Sequence, residues 1–155
     1  MRVHREAKEE HVFELAVAKG GAKLRAHVDE PLAAPAVETG TLKLDQEGFA
    51  VFPKNCKWCV SARANGDARL TSEGLTMSEV ASTMGYKLHA MVFDKMGLMG
   101  RYDFSVISSI NEPGSDPVMS LVAAMETQLG LRFESKKGPV QILVVDNAQK
   151  IPTEN

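Results

Sequence analysis

Gly97-Leu98-Met99-Gly100-Arg101-Tyr102-Asp103-Phe104-Ser105-Val106 sets the organisation of this chain. Two glycines punctuate a turn, and an alternating segment follows. Tyr102, Phe104 and Val106 fall on one face; Arg101, Asp103 and Ser105 fall on the other. Period 2 with aromatic and β-branched residues predicts a half-buried strand.

Upstream of it, Met91-Val92-Phe93 reads as a strand, with Asp94 to Gly100 as the turn of a hairpin. Before that, Thr76-Met77-Ser78-Glu79 matches a capping box, in which hydroxyl and carboxylate satisfy each other's backbone amides. Met77, Val80, Ala81, Met84 and Leu88 then share a helical face, and Gly85 weakens its far end by about 1 kcal/mol. Downstream, Ile110 to Asp116 is a loop. Asp116 as N-cap and Pro117 at the first helical position start a second helix. Its stripe is Val118, Leu121, Val122, Met125 and Leu129, and Gly130 stops it. Leu131 to Glu134 reads as a strand and Ser135 to Gly138 as a turn. Val140 to Val145, the most apolar run, is expected to be a central strand. Residues 148–155 are expected to fray.

Residues 76–107 and 117–146 thus both read helix, strand, turn, strand, offset by roughly 40 residues, with Phe93 over Phe133 and Asp94 over Glu134. Two αββ units follow, over residues 69–109 and 110–150. Residues 1–28 supply N-terminal strands: Phe13, Leu15 and Val17 share a face, Lys19-Gly20-Gly21 is a turn, and the polar run Arg5 to Glu10 is a strand end and turn. Residues 29–68 are a variable region: a loop over 29–40, a strand-turn-strand over 41–52, and an irregular stretch over 54–68 with a turn at Asn65-Gly66-Asp67. The expectation is a single α+β domain over residues 1–155, an antiparallel or mixed sheet with two helices on one face.

At 155 residues the chain is long enough to bury a core without staples. A net charge of -2 argues against a nucleic-acid partner, which calls for a basic patch. No run approaches the roughly 18–20 apolar residues of a membrane span. Met1-Arg2-Val3-His4-Arg5-Glu6 has no apolar leader segment, so the chain as written is expected in the cytoplasm.

Candidate chemistry is sparse. Cys56-Lys57-Trp58-Cys59 leaves three roles open: structural, metal-binding or redox. His4, His11, His27 and His89 form no His-x-His or His-Glu-x-x-His pair, and there is no Gly-x-Ser-x-Gly elbow. His89, near the first helix end, is a candidate general base. Asp94 and Asp103 flank the glycine turn and are expected to approach each other across the hairpin, with Tyr102 placed to polarise a carbonyl. Asn111, Glu112, Ser115 and Asp116 surround Gly114 as an oxygen-rich loop for calcium, with Glu112 and Asp116 as ligands. The competing structural roles are a cap for Asp116, turns for Glu112 and Asp94, and a solvated strand face for Asp103. Eight methionines suit either an adaptable core or a groove that accepts acyl chains.

Gly74-Leu75-Thr76-Met77-Ser78-Glu79-Val80, Asp94 to Phe104 and Leu129 to Val140 closely resemble a bacterial family labelled "soil-associated protein", whose C-terminal domain has no assigned function. Val3-His4-Arg5-Glu6, Val17 to Leu24 and Pro152-Thr153-Glu154-Asn155 match too, leaving out about residues 28–68. Members of that family usually carry a further N-terminal half with a leader, so the resemblance implies a shortened member with exported relatives. The αββ units look similar to the short domains at the entrance of secretins and TonB-dependent receptors, which implies a binding or scaffold module in the periplasm or at the surface. Small proteins of this kind are also similar to quorum-quenching hydrolases that open N-acyl-homoserine lactones, some calcium-dependent. That resemblance implies an acyl-lactone substrate, water activated beside a divalent cation, and a Met-rich groove for the acyl chain.

Overall fold

The computed structural model describes residues 2–31 and 43–147. The elements are β1 (Arg2–Val17), β2 (Arg25–Ala26), β3 (Cys59–Ala62), β4 (Asp67–Leu75), α1 (Met77–Leu88), β5 (Met91–Asp94), β6 (Tyr102–Ser109), α2 (Pro117–Ala124) and β7 (Leu131–Asn147). A π-helical turn, Met125–Leu129, continues α2 to Gly130. The α+β class holds, with mixed strand directions and two helices. The strands divide between two sheets, one of order β5-β1-β7 and one of order β2-β6-β4-β3. β1 pairs parallel with β5 and antiparallel with β7, whereas every pairing in the second sheet is antiparallel.

Local helix signals act as their chemistry dictates. Thr76 caps the Glu79 amide while the Glu79 carboxylate accepts from the Thr76 N–H at 2.9 Å. The Asp116 carboxylate accepts from the Val118 N–H at 2.8 Å, and Pro117 opens α2. The buried faces meet in one cluster, where Leu15, Met77, Val80, Met84, Val106, Met125 and Leu131 are closed to solvent. Met77, Met84 and Met125 are therefore core residues, whereas Met91, Met99 and Met119 are exposed.

Five expectations fail, each because strand pairing is set by the fold and not by the local sequence. β5 and β6 do not form a hairpin. β5 pairs with β1, where the Lys95 N–H reaches the Leu15 carbonyl at 2.9 Å, and the glycine turn carries the chain across to the second sheet. Arg5 to Glu10 is strand rather than turn, because β1 runs unbroken against β7 from Val3↔Val145 to Val17↔Leu131. Ser135 to Gly138 is also strand. Pro139 is tolerated because β7 is an edge, and a side chain on Gly138 would meet Val12, whose Cγ2 would lie 3.1 Å from the added Cβ. Val140 to Val145 is accordingly peripheral, with Leu143 63% and Val145 51% exposed. Finally, the stretch read as irregular contains β3, which pairs with Ala68 to Thr71 of β4. The expected strand start at Thr41-Leu42, most of the 29–40 loop and the C-terminal tail lie outside the described residues.

The 43–52 excursion has its own small core. Phe49 is fully buried under two guanidinium groups, Arg63 at 4.8 Å and Arg69 at 4.2 Å from its ring centre. Asp45 and Glu47 hold Arg69. Leu44 and Ala50 form a single bridge, and the Ala50 N–H donates to Ser61 Oγ at 2.7 Å. The Phe49 backbone N–H, followed by Arg69, holds the Asp45 carboxyl below its ordinary value of 3.8. A depressed carboxyl contributes stability that is present above its unfolded value and is lost as pH falls through the folded one. Asp45→Asn should therefore reduce the acid slope of stability below about pH 4, measured by denaturant unfolding across that range. An unchanged slope would show that the Asp45 carboxylate is not linked to folding.

Candidate functional site

Two places combine concavity or buried polarity with candidate residues. The first is an open groove between the end of α1 and β5. It is lined by Ala81, Ser82, Gly85, Tyr86, His89, Ala90, Met91 and Val92 and has a volume of about 510 Å³. α1 ends when His89 takes the left-handed conformation, φ 51°, with its N–H still directed to the carbonyls of Gly85 and Tyr86. The reversal brings β5 back beside the helix, and the Ala90 N–H bonds the Gly85 carbonyl at 3.1 Å. Tyr86 is 84% exposed and Met91 is half exposed, so the groove is open to solvent along a largely apolar wall. A smaller hollow of about 190 Å³ lies beside Asp45, Pro53, Cys56 and Glu73.

The second place is a pair, His27 and Asp103. The β2–β6 register sets Arg25 opposite Asp103, and the His27 N–H bonds the Arg101 carbonyl at 2.9 Å. His27 Nδ1 then lies 2.7 Å from Asp103 Oδ1. The same oxygen accepts from the Gly74 N–H at 2.9 Å, and Arg25 reaches the other oxygen at 3.6 Å. His27 Nε2 lies 3.6 Å from Asp29, which in turn pairs with Arg101. The side chains of His27 and Asp103 are 8% and 13% exposed. Gly74, at φ 74°, makes this packing possible, since a Cβ there would sit 3.3 Å from His27 Nε2. An imidazole held by a buried carboxylate is the geometry of an oriented base, but these hydrogen bonds also staple β2 to β4 and β6.

The other candidates are separated. Asp94 ends β5 and accepts from the Met96 N–H at 3.0 Å, so it builds the turn. Asp94 and Asp103 stand on strands of different sheets and do not face each other across a hairpin. The Tyr102 hydroxyl donates to the Met99 carbonyl at 2.7 Å. His89 lines the groove. The exposed Glu112 offers its carbonyl to the Ser115 N–H and hydroxyl at 3.1 and 2.9 Å. Asp116 uses its carboxylate as the α2 cap. Among the described residues, no group of three or more His, Cys, Asp or Glu is placed to hold a metal ion. Cys56 and Cys59 are joined in a disulfide, with Cα atoms 6.0 Å apart, and the Cys56 carbonyl accepts from the Glu73 N–H at 2.9 Å. Sequence pattern misses His27, because its partner lies 76 residues away and only the β2–β6 register brings them together.

A family profile described as a protein of unknown function (DUF3738) matches residues 1–148. The chain belongs to that family. The DUF3738 match runs through both β1 and β7 and through residues 28–68. No curated protein matches this DUF3738 chain, and no solved structure matches it. Among the described residues, no helix is long and apolar enough to cross a membrane.

Proposed function

We propose that this DUF3738 chain is a non-catalytic binding module and that the α1–β5 groove takes the apolar chain of a small amphiphile. The observation that carries this reading is the groove itself. Its volume of about 510 Å³ falls in the usual range for small-molecule sites, and Met91 and Val92 offer an adaptable apolar wall. Outside it, Asp94, Tyr102, Asp103 and Asp116 are engaged in turn, backbone and capping hydrogen bonds.

One observation favours a second reading. His89 shares the groove with Met91, so an acyl chain lying there brings its head group to the same hollow as an imidazole. In that reading the chain is a hydrolase opening N-acyl-homoserine lactones, akin to the soil-associated and quorum-quenching proteins it resembles. His89 would take a proton from water as the water adds to the lactone carbonyl, and the ring oxygen would leave carrying a proton. Among the described residues, Glu112 and Asp116 are not joined by a third His, Cys, Asp or Glu, and in this reading the proton transfer rests on His89.

Decanoyl-homoserine lactone serves as the probe for both. Its binding is measured by calorimetry and its ring opening by acid release, with and without EDTA. The expected result is saturable binding, lost in Met91→Glu, with no turnover above a heat-inactivated control. Absence of binding would sink the groove reading. Turnover abolished by His89→Ala would establish the hydrolase, and EDTA sensitivity of that turnover would bring in a cation.

A further inference from the structure

β1 and β7 continue as a two-stranded ribbon well beyond the rest of their sheet. β5 covers only Val12 to Leu15 of β1, so Arg2 to Glu10 has an uncovered edge among the described residues. Both faces of this stretch are open as well: Arg2 to Glu10 are all exposed. Two strands alone are marginal in water, and a third or fourth strand is what normally stabilises them. An open strand edge is also a template for another strand.

The orientation of the backbone on that edge can be worked out. The Leu15 carbonyl points to the β5 side, where it takes the Lys95 N–H. The β1–β7 register shifts only between Arg2 and Val3. Alternation along the strand therefore turns the N–H and C=O of Val3, Arg5, Ala7 and Glu9 to the same uncovered edge, whereas the His11 carbonyl on that side is already taken by β5 through the Val12↔Met91 pairing. The opposite edge of the ribbon, on β7, contains Pro139, which has no N–H, and the β1 edge contains no proline.

We propose that this edge pairs with the same edge of a second copy of the chain, antiparallel, about a two-fold axis at Ala7. The result is a four-stranded sheet of order β7-β1-β1-β7. Charge selects this register. With Ala7 opposite Ala7, Arg5 faces Glu9, Glu6 faces Lys8 and His4 faces Glu10, and the symmetry repeats each pair. Sliding one copy by two residues sets Glu6 against Glu6 or Lys8 against Lys8. Sliding it by one sets outward backbone groups against inward ones, which cannot bond. Lys8, already 2.7 Å from Glu10 within its own strand, then lies between two carboxylates. The pairing closes about eight backbone hydrogen bonds, is self-complementary as a two-fold interface must be, and adds an ordered neighbour beside an exposed ribbon.

The test is sedimentation equilibrium of the chain from micromolar to millimolar concentration. A concentration-dependent dimer is expected. Arg5→Glu should weaken it about tenfold, since it turns two attractive cross-strand pairs into repulsive ones. Arg5→Glu with Glu9→Arg should restore the wild-type dissociation constant. Ala7→Cys should cross-link to its own copy under mild oxidation, as residues opposed across a hydrogen-bonded pair lie about 5.5 Å apart. Arg5 and Glu9 are exposed, so these changes leave the core intact. A monomer at every concentration overturns the proposal. So does a dimer indifferent to Arg5→Glu, which would place the contact elsewhere, for instance on the β7 edge. Failure of the charge swap to rescue overturns the register.

Discussion

Gly130→Val is expected to abolish the cooperatively folded state, or to lower its stability by about 4 kcal/mol where folding persists. Gly130 sits at φ 70° where the π-helical turn hands over to β7. A Cβ there would overlap the Gly21 carbonyl oxygen and lie 3.0 Å from the Gly21 carbon and 3.3 Å from Ala22 Cα. All three are backbone atoms, so no side chain can swing aside. The segments are also tied together, with Ala18 N–H to the Gly130 carbonyl at 2.9 Å and Lys23 N–H to the Leu129 carbonyl at 2.8 Å. Relieving the clash breaks those bonds, and a β-branched residue in the left-handed region adds about 1–2 kcal/mol. A net stability of roughly 5–15 kcal/mol leaves little after that loss. Gly130→Ala should be milder but still clearly destabilised. Urea unfolding followed by circular dichroism measures both, and a Gly130→Val midpoint close to wild type would refute the close approach.

Gly130 illustrates what was legible in the sequence and what was not. Its role as a helix stop follows from its place after the Met125–Leu129 stripe. Its contact with Gly21, over a hundred residues away, does not. The capping box at Thr76, the Asp116-Pro117 start and the buried methionine faces were readable because each is settled within a few residues. Strand partners are settled by the whole fold. Alternation reports burial of one face, and the β1–β7 ribbon exposes both, so Arg5 to Glu10 carries no alternating signal. The Gly138-Pro139 pair resembles a turn signal, but here glycine makes room for Val12 and proline sits on an edge. The turn after Asp94 was correctly placed as a turn, yet its two strands belong to different sheets. The candidate site divides the same way. His89 and Asp103 stood out by residue type, whereas the groove and His27 depend on how α1 reverses and on the β2–β6 register.

Asp103→Ala should cost about 3 kcal/mol, the second largest effect expected. The carboxylate is 13% exposed and satisfies two donors through one oxygen, the Gly74 N–H at 2.9 Å and His27 Nδ1 at 2.7 Å. Truncation strands both in a site that water enters poorly, and an orphaned buried donor costs about 1–3 kcal/mol. The Gly74 amide lies in the irregular stretch where the β4–β6 register shifts between Ser72 and Leu75, so no ladder bond replaces the one lost. Asp103→Asn is the informative partner. Its amide oxygen can still accept from Gly74, so stability should recover by more than half, while the charge shared with His27 and Arg25 is gone. Denaturant unfolding of both variants separates two roles for the pair. A carboxylate that staples β2, β4 and β6 makes Asp103→Ala costly and Asp103→Asn mild, with ligand binding in the α1–β5 groove unchanged. A carboxylate kept to orient a reacting imidazole would show the reverse, both variants near wild-type stability and lactone turnover lost in each. The three hydrogen-bonded strands around Asp103 make the first pattern the expected one, because the groove already has a histidine of its own in His89.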